Sequence, residues 1–229
     1  MYNRILAVDL GKQNDSSAIV MMDIVERRQE TGLSPHQFQP LATVQELHVV
    51  FIERPPLGTL YTDLVDRIDA IMKHPDNDRK TYLVIDQSGI GQPVCDFLRK
   101  KKLNPIGITI TAGEAVNSTD TGYKVSKAIL VSTLQIIFKR HRIKISGQLP
   151  MGVKSQLLHE LKSFQAKIKT QTKNVSYEAA KEEDHDDIVM ALAIGVWIFQ
   201  RFFPDALEGN QENTGKTEYD VLNYGLKKE

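Results

Sequence analysis

One cysteine stands in 229 residues. Cys95 has no partner within the chain, which excludes an internal disulfide and the bridge-stapled secreted scaffolds, and fits a reducing cytosol. Structural zinc is disfavoured as well, because there is no second cysteine and the six histidines are scattered without ligand spacing. Cys95 itself lies in the apolar run Pro93-Val94-Cys95-Asp96-Phe97-Leu98 and reads as a small buried hydrophobe rather than a catalytic thiol. No apolar run approaches ~18 residues, so no membrane-spanning helix is expected. The opening stretch, with Arg4 and Asp9 among few apolar residues, does not read as a signal peptide. Internal repeats are lacking, and so is net charge: 29 basic side chains balance 29 acidic ones, which argues weakly against tight polyanion binding by the chain as a whole.

The length suits one large domain, or one domain and a tail. At this size a chain buries ~70% of its unfolded surface and folds without staples. Ile5 to Val8 reads as a buried strand that stops at Asp9-Leu10-Gly11. Ser17 to Val25 and Ala42 to Glu53 read as two further strands, and the short spacing predicts an antiparallel meander. The period then changes. Leu60, Leu64, Val65, Ile68, Ile71 and Met72 mark one face of a helix. Tyr82 to Ile85 is a fourth strand, ending at Asp86; Ser88-Gly89-Ile90-Gly91-Gln92-Pro93 starts a helix that continues to about Lys102, and Ile106 to Ile110 is a fifth strand. Helices are predicted over Lys127 to His141, Val153 to Phe164 and Asp187 to Phe203, with Pro204 stopping the last. Ala166 to Ala179 alternates weakly and suggests a hairpin. The expected organisation is a domain over 1–204 and a flexible tail over 205–229. Its class is α/β: a mixed sheet, antiparallel meander plus parallel strands, flanked by helices on both faces.

Carboxylates stand where burial makes them expensive. Asp9 follows Ile5-Leu6-Ala7-Val8, Asp86 follows Leu83-Val84-Ile85, and Asp186 and Asp187 open an almost wholly apolar helix. A carboxylate at a buried strand end loses hydration at a cost of several kcal/mol if unpaired. No arginine adjoins either strand end in sequence. Converging carboxylates are hard oxygen ligands that suit Mg²⁺ or Mn²⁺. Each has a plainer reading: a turn at Asp9, a helix cap at Asp86, and dipole complementarity for Asp184, Asp186 and Asp187.

Taken together these motifs resemble a known family. Ala7-Val8-Asp9-Leu10-Gly11, then Asp15-Ser16-Ser17-Ala18, then Val84-Ile85-Asp86-Gln87-Ser88-Gly89-Ile90-Gly91, and finally Val175-Ser176-Tyr177-Glu178 with His185-Asp186-Asp187-Ile188-Val189-Met190-Ala191-Leu192-Ala193 are similar to the nuclease domain of viral terminase large subunits. The resemblance covers about residues 1–203 and implies an RNase H-like fold. It further implies an endonuclease that cuts double-stranded DNA during phage genome packaging by two-metal-ion phosphodiester hydrolysis. Asp9 would be the first-strand ligand shared by two divalent cations, Mg²⁺ or Mn²⁺. Asp86 would be the second ligand, and Asp187 or its neighbour Asp186 the helix ligand. His185 would be a proton shuttle, an outer-shell group or only a helix-start hydrogen bonder. Implied partners are the duplex, a terminase ATPase motor domain and the portal and small subunits, in the cytoplasm of a bacterial host. No Walker A loop is present: Thr214-Gly215-Lys216-Thr217 lacks the upstream glycine, strand and helix. The chain therefore reads as an excised nuclease half or a free-standing relative.

Charge is unevenly spread. Between Lys124 and Lys173 there are eleven Lys or Arg and a single acid, Glu160, a local excess near +10 that the rest of the chain balances. Such asymmetry is an electrostatic footprint for a polyanion. Lys124, Lys127, Lys162, Lys167, Lys169 and Lys173 are the candidate DNA-binding residues. A solvated basic face is the plainer reading. Three other functions fit parts of the pattern. A Holliday-junction resolvase usually has a helix carboxylate where Met190 stands. An actin- or sugar-kinase-type phosphotransferase normally needs a much longer chain. A docking module that has lost its metal sits poorly with intact carboxylates.

Overall fold

A computed structural model describes residues 3–11, 16–28, 43–75, 77, 80–170 and 186–204, with the side chains of 165–170 outside the description. The proposed tail over 205–229 also lies outside the described residues. The strands are β1 (Arg4–Asp9), β2 (Ala18–Arg28), β3 (Thr43–Glu53), β4 (Thr81–Asp86), β5 (Ile106–Thr111), β6 (Val116–Thr119), β7 (Gly122–Ser126) and β8 (Ile143–Ile145). They form one eight-stranded sheet in the order β6-β7-β5-β4-β1-β2-β3-β8. β1, β2 and β3 make the expected antiparallel meander. β4, β5 and β7 continue from β1 in parallel, β6 turns back on β7, and β8 adds in parallel to β3. The helices are α1 (Tyr61–Met72), α2 (Gly91–Lys100), α3 (Lys127–Lys139), α4 (Met151–Thr170) and α5 (Asp187–Phe202).

Alternation along the central strands sorts the helices into two layers. Leu6, Val8, Leu83 and Ile85 join the cluster formed with Leu64, Val65 and Ile68 of α1 and Val94 and Leu98 of α2. Ile5, Ala7, Tyr82 and Val84 point the other way and join α3, α4 and α5. Residues of successive parity on a strand face opposite sides of the sheet. Asp9 and Asp86 therefore continue the α5-facing rows of β1 and β4.

α5 is apolar all round because it is covered all round: thirteen of its sixteen residues are buried. It runs antiparallel to β1 and β4. Phe202, near its end, meets Tyr82 at the start of β4 with ring centroids 5.2 Å apart. Gly195, at its middle, lies on Ala7 and Ile5. Its first turn consequently sits at the carboxyl ends of the parallel strands.

Two expectations change. Residues 166–170 belong to α4 rather than to a hairpin, and 171–179 lie outside the described residues. β6, β7 and β8, each of three to five residues, are additional to the five predicted strands.

A Cβ at Gly195 would overlap the Met22 methyl and stand 3.0 Å from Ala7 Cβ. Met22 is flexible but Ala7 is not, so Gly195→Val should lift α5 off the sheet and cost about 1–3 kcal/mol. Urea unfolding would show this as a lowered midpoint at unchanged slope.

Candidate metal centre

Two parallel strands and one helix start build the site. β1 and β4 are in register, with Val8 beside Ile85, so the next residues, Asp9 and Asp86, leave the sheet side by side. Both are only partly buried, and both face α5. The turn after β4 holds Asp86. Its Oδ1 accepts the Ser88 backbone N–H at 2.8 Å, and Ser88 Oγ accepts the Ile110 N–H at 2.9 Å, tying the turn to β5. α2 begins directly behind: a Cβ at Gly91 would overlap the Asp86 carbonyl oxygen, so only glycine allows this approach.

α5 brings the other two carboxylates. Asp186 is its N-cap residue and Asp187 its first helical residue. Lys127, which opens α3, donates from Nζ to Asp186 Oδ2 at 3.2 Å. Ser126 caps α3 by accepting the Ile129 N–H, and thereby fixes where Lys127 starts. Arg54, just past β3, donates from Nη2 to Asp187 Oδ2 at 2.7 Å, and its Nη1 stands 3.4 Å from Glu160 Oε1 of α4.

The four carboxylates feel one another. Burial pushes the Asp9 carboxyl well above its ordinary value, and Asp86, Asp187 and Asp186 push it further. Burial raises Asp86 too; the hydroxyl and N–H of Ser88, the contact with Asp9 and the charge of Lys127 pull it part of the way back. Glu160 is raised to about 7, by burial first and by Asp187, against the pull of Arg54 and two helix N–H groups.

Asp9, Asp86, Asp186 and Asp187 thus lie at one end of the sheet. They do not yet converge on a point: among the described residues no three His, Cys, Asp or Glu side chains form a metal-holding group. Asp186 pairs with Lys127, and Asp187 with Arg54. Lys127 sits inside this acidic site. Lys124 is exposed on β7 and points to the α1–α2 face, opposite to its neighbours Tyr123 and Val125. Lys162 is exposed on α4, on the other side of the sheet. Lys167 and Lys169 are in the last turns of α4, with side chains outside the description; His185 and Lys173 lie outside the described residues.

Sequence reasoning missed Arg54 and Glu160. A meander returns β3 to the same end of the sheet as β1, which was the signal for Arg54. Glu160 falls on the helical face of Leu157 and Phe164, both buried, which was the signal for Glu160.

The raised Asp9 has a consequence for stability. Between the ordinary carboxylate pKa and its own, the folded chain holds a proton that the unfolded chain has lost, so stability falls as pH rises through that window. In EDTA, Asp9→Asn should raise Tm, and the gain should grow as pH rises above the ordinary carboxylate range. Differential scanning calorimetry of the two chains checks both sign and trend.

No protein-family model and no curated sequence matches the chain. Solved structures do. The large terminase nuclease from thermophilic phage G20c superposes with a TM-score of 0.52 at 21% identity, covering 85% of this chain and 81% of that one. The human cytomegalovirus terminase nuclease domain in a manganese-soaked crystal gives 0.47 at 9% identity, over 91% of this chain and 86% of that one. RuvC of T. thermophilus with a Holliday junction substrate gives 0.25 at 13% identity, over 87% of this chain and 96% of that one. The order of the strands, the meander that begins with Asp9 and the late helix across it make an RNase H-like architecture, and the chain shares its fold with the G20c nuclease.

Proposed function

We propose that the chain is a divalent-metal-dependent endonuclease that hydrolyses phosphodiester bonds of double-stranded DNA, as the nuclease part of a viral DNA-packaging terminase. The observation that carries the reading is the side-by-side exit of Asp9 and Asp86 towards the paired carboxylates that open α5. A fold need serve no particular chemistry, so the weight rests on this donor set. Four carboxylates at one sheet end, three of which raise the proton affinity of Asp9, are a poor arrangement for a solvated cap and a good one for hard cations. The donor set suits Mg²⁺ or Mn²⁺, which Asp9, Asp86, Asp187 and Asp186 would hold. When bound, such ions supply Lewis acidity to a water and to the phosphodiester.

The chain's own groups do the rest. Asp9 is the acid whose proton affinity the other three raise, and so the one that most needs a cation beside it. Ser88 and the Gly91 contact hold Asp86 in place. Lys127 carries positive charge into the site, where an arriving phosphate needs it. Lys124, Lys162, Lys167, Lys169 and Lys173 would hold backbone phosphates along the duplex, and His185 would relay a proton or order the ligands. The ATPase motor and the portal and small subunits would present the DNA, in the cytoplasm of the host.

Supercoiled plasmid with Mn²⁺ tests the reading. The wild-type chain should nick and linearise it, EDTA should stop the reaction, and Asp9→Asn should lower the rate by at least about 100-fold, beyond the loss typical of outer-shell partners. A cut confined to four-way junctions would indicate a resolvase, and nucleotide-dependent stabilisation without nicking would indicate a phosphotransferase.

Binding has its own signature. Phosphate contacts release counterions, so retention of a labelled duplex should fall steeply between about 50 and 200 mM salt. Lys162→Ala should reduce that slope by about one unit, read by gel shift in EDTA.

A further inference from the structure

Asp186 occupies the N-cap of α5 but makes no capping hydrogen bond. Its carboxylate is turned to Lys127 instead. A helix start leaves N–H groups without intrahelical partners, and at α5 Ile188 and Val189 are both wholly buried, away from water. Another helix serves them. Glu160 of α4, 4% exposed, accepts the Ile188 N–H at 3.0 Å and the Val189 N–H at 3.2 Å, both on Oε2. Its second oxygen, Oε1, makes no hydrogen bond among the described residues and faces Arg54 at 3.4 Å. Arg54 in turn grips Asp187 Oδ2.

Arg54 reaches this face through an irregularity. β3 pairs Phe51 with Met21 but Val49 with Met22, so Val50 is an inserted residue. Before the bulge Leu47 and Val49 face α5; after it Ile52 does, and Arg54 follows Ile52. Without the insertion Arg54 would point to the α1 side, as Glu53 now does when it meets Arg67. Bulges re-aim side chains in this way.

Simpler purposes do not account for the arrangement. A cap alone could come from Asp186 itself, without burying a second carboxylate. An ion pair alone gains little, since a buried pair roughly offsets its own desolvation.

We propose that Glu160 and Arg54 are positioning residues of the acidic centre: Glu160 takes over the capping of α5, which releases Asp186 and Asp187 to face the ions, and Arg54 sets the orientation of Asp187. This rests on the metal reading given above. The two residues touch neither substrate nor ions; they act through Asp186 and Asp187.

Calorimetric titration of Mn²⁺ into the full chain tests the proposal, beside Tm measured without metal. Glu160→Ala and Arg54→Gln should each weaken Mn²⁺ uptake by about 10–100-fold, the range for outer-shell partners. Glu160→Gln keeps an oxygen for the two N–H groups and should retain more affinity than Glu160→Ala. Ile68→Ala, which truncates a buried side chain on the opposite face, should lower Tm and leave Mn²⁺ affinity at the wild-type value. Equal affinity in Glu160→Ala and Ile68→Ala, each measured well below its Tm, would overturn the proposal. So would tighter uptake by Arg54→Gln, which would make Arg54 a rival of the ions. If Glu160→Ala does not fold, Glu160→Gln and Arg54→Gln decide: wild-type affinity in both overturns it. Uptake by the wild-type chain that Asp9→Asn abolishes keeps the metal reading apart from these outcomes. A wild-type chain that takes up no Mn²⁺ sinks that reading and the proposal together.

Discussion

Like charge gathered at a buried sheet end is the constraint from which the rest of the site follows. β1 and β4 are covered on both faces, so the parity of their residues has no freedom: Ile5 and Ala7 commit Asp9, and Tyr82 and Val84 commit Asp86, to the side where α5 lies. The two carboxyls share a partly dry space with two more from α5, and the chain answers with every device available to it. A proton is held more tightly at Asp9. Lys127 and Arg54 reach in from α3 and β3. Backbone N–H groups at Ser88 and at the α5 start are spent on carboxylates. Each device lowers the same electrostatic energy, and each comes from a different element, which is why the site ties so much of the fold together.

α5 supplies the free energy that holds this arrangement. One wholly buried Ile, Val or Phe side chain is worth about 1.5–3 kcal/mol. Ile188, Val189, Ile194, Val196, Ile198 and Phe199 are all at 0% exposure. Against that sum, several kcal/mol for poorly paired carboxylates is tolerable. The helix cannot slide to relieve the repulsion, because Gly195 locks it against Ala7 at its middle and Phe202 packs against Tyr82 at its end. Repulsion among the acids is thus held in the native state by apolar contacts two and four turns away.

The parts of this that the amino-acid sequence makes legible are those with a long-lived period. Two apolar strands that stop at an aspartate, and an apolar helix that starts with two, can be read directly, and the meander follows from spacing. Three strands escape because they are too short to show a period at all; Ile143–Ile145 has only three residues. Ala166-Lys167-Ile168-Lys169 shows an alternation of two over four residues, and the last turns of an amphipathic helix can mimic that; the preceding turns of α4 decide it. Arg54 escapes for a sharper reason. Alternation counted from Leu47 and Val49 sends it to the wrong face, and only the inserted Val50, invisible as a letter, corrects the count. Glu160 is hidden by composition: a lone acid in a basic stretch looks like background until it is placed on the helical face of Leu157 and Phe164.

The same topology divides the basic stretch. Cations close in sequence need not share a face: Lys124 of β7 points to the α1–α2 side, and Lys162 of α4 is exposed on the other side of the sheet. What the two layers share is the carboxyl end of the parallel strands, where β7, with Lys124 at its middle, ends and Lys127 begins α3. A duplex bound by both groups would have to cross that end rather than lie along a face, since its phosphates run down both sides of a rod too thick to fit within either layer. At that crossing point Lys127 and Arg54 already meet two of the site's acids. On the proposed function, electrostatic attraction from either side would deliver a backbone to the same few side chains that the sheet has already crowded together.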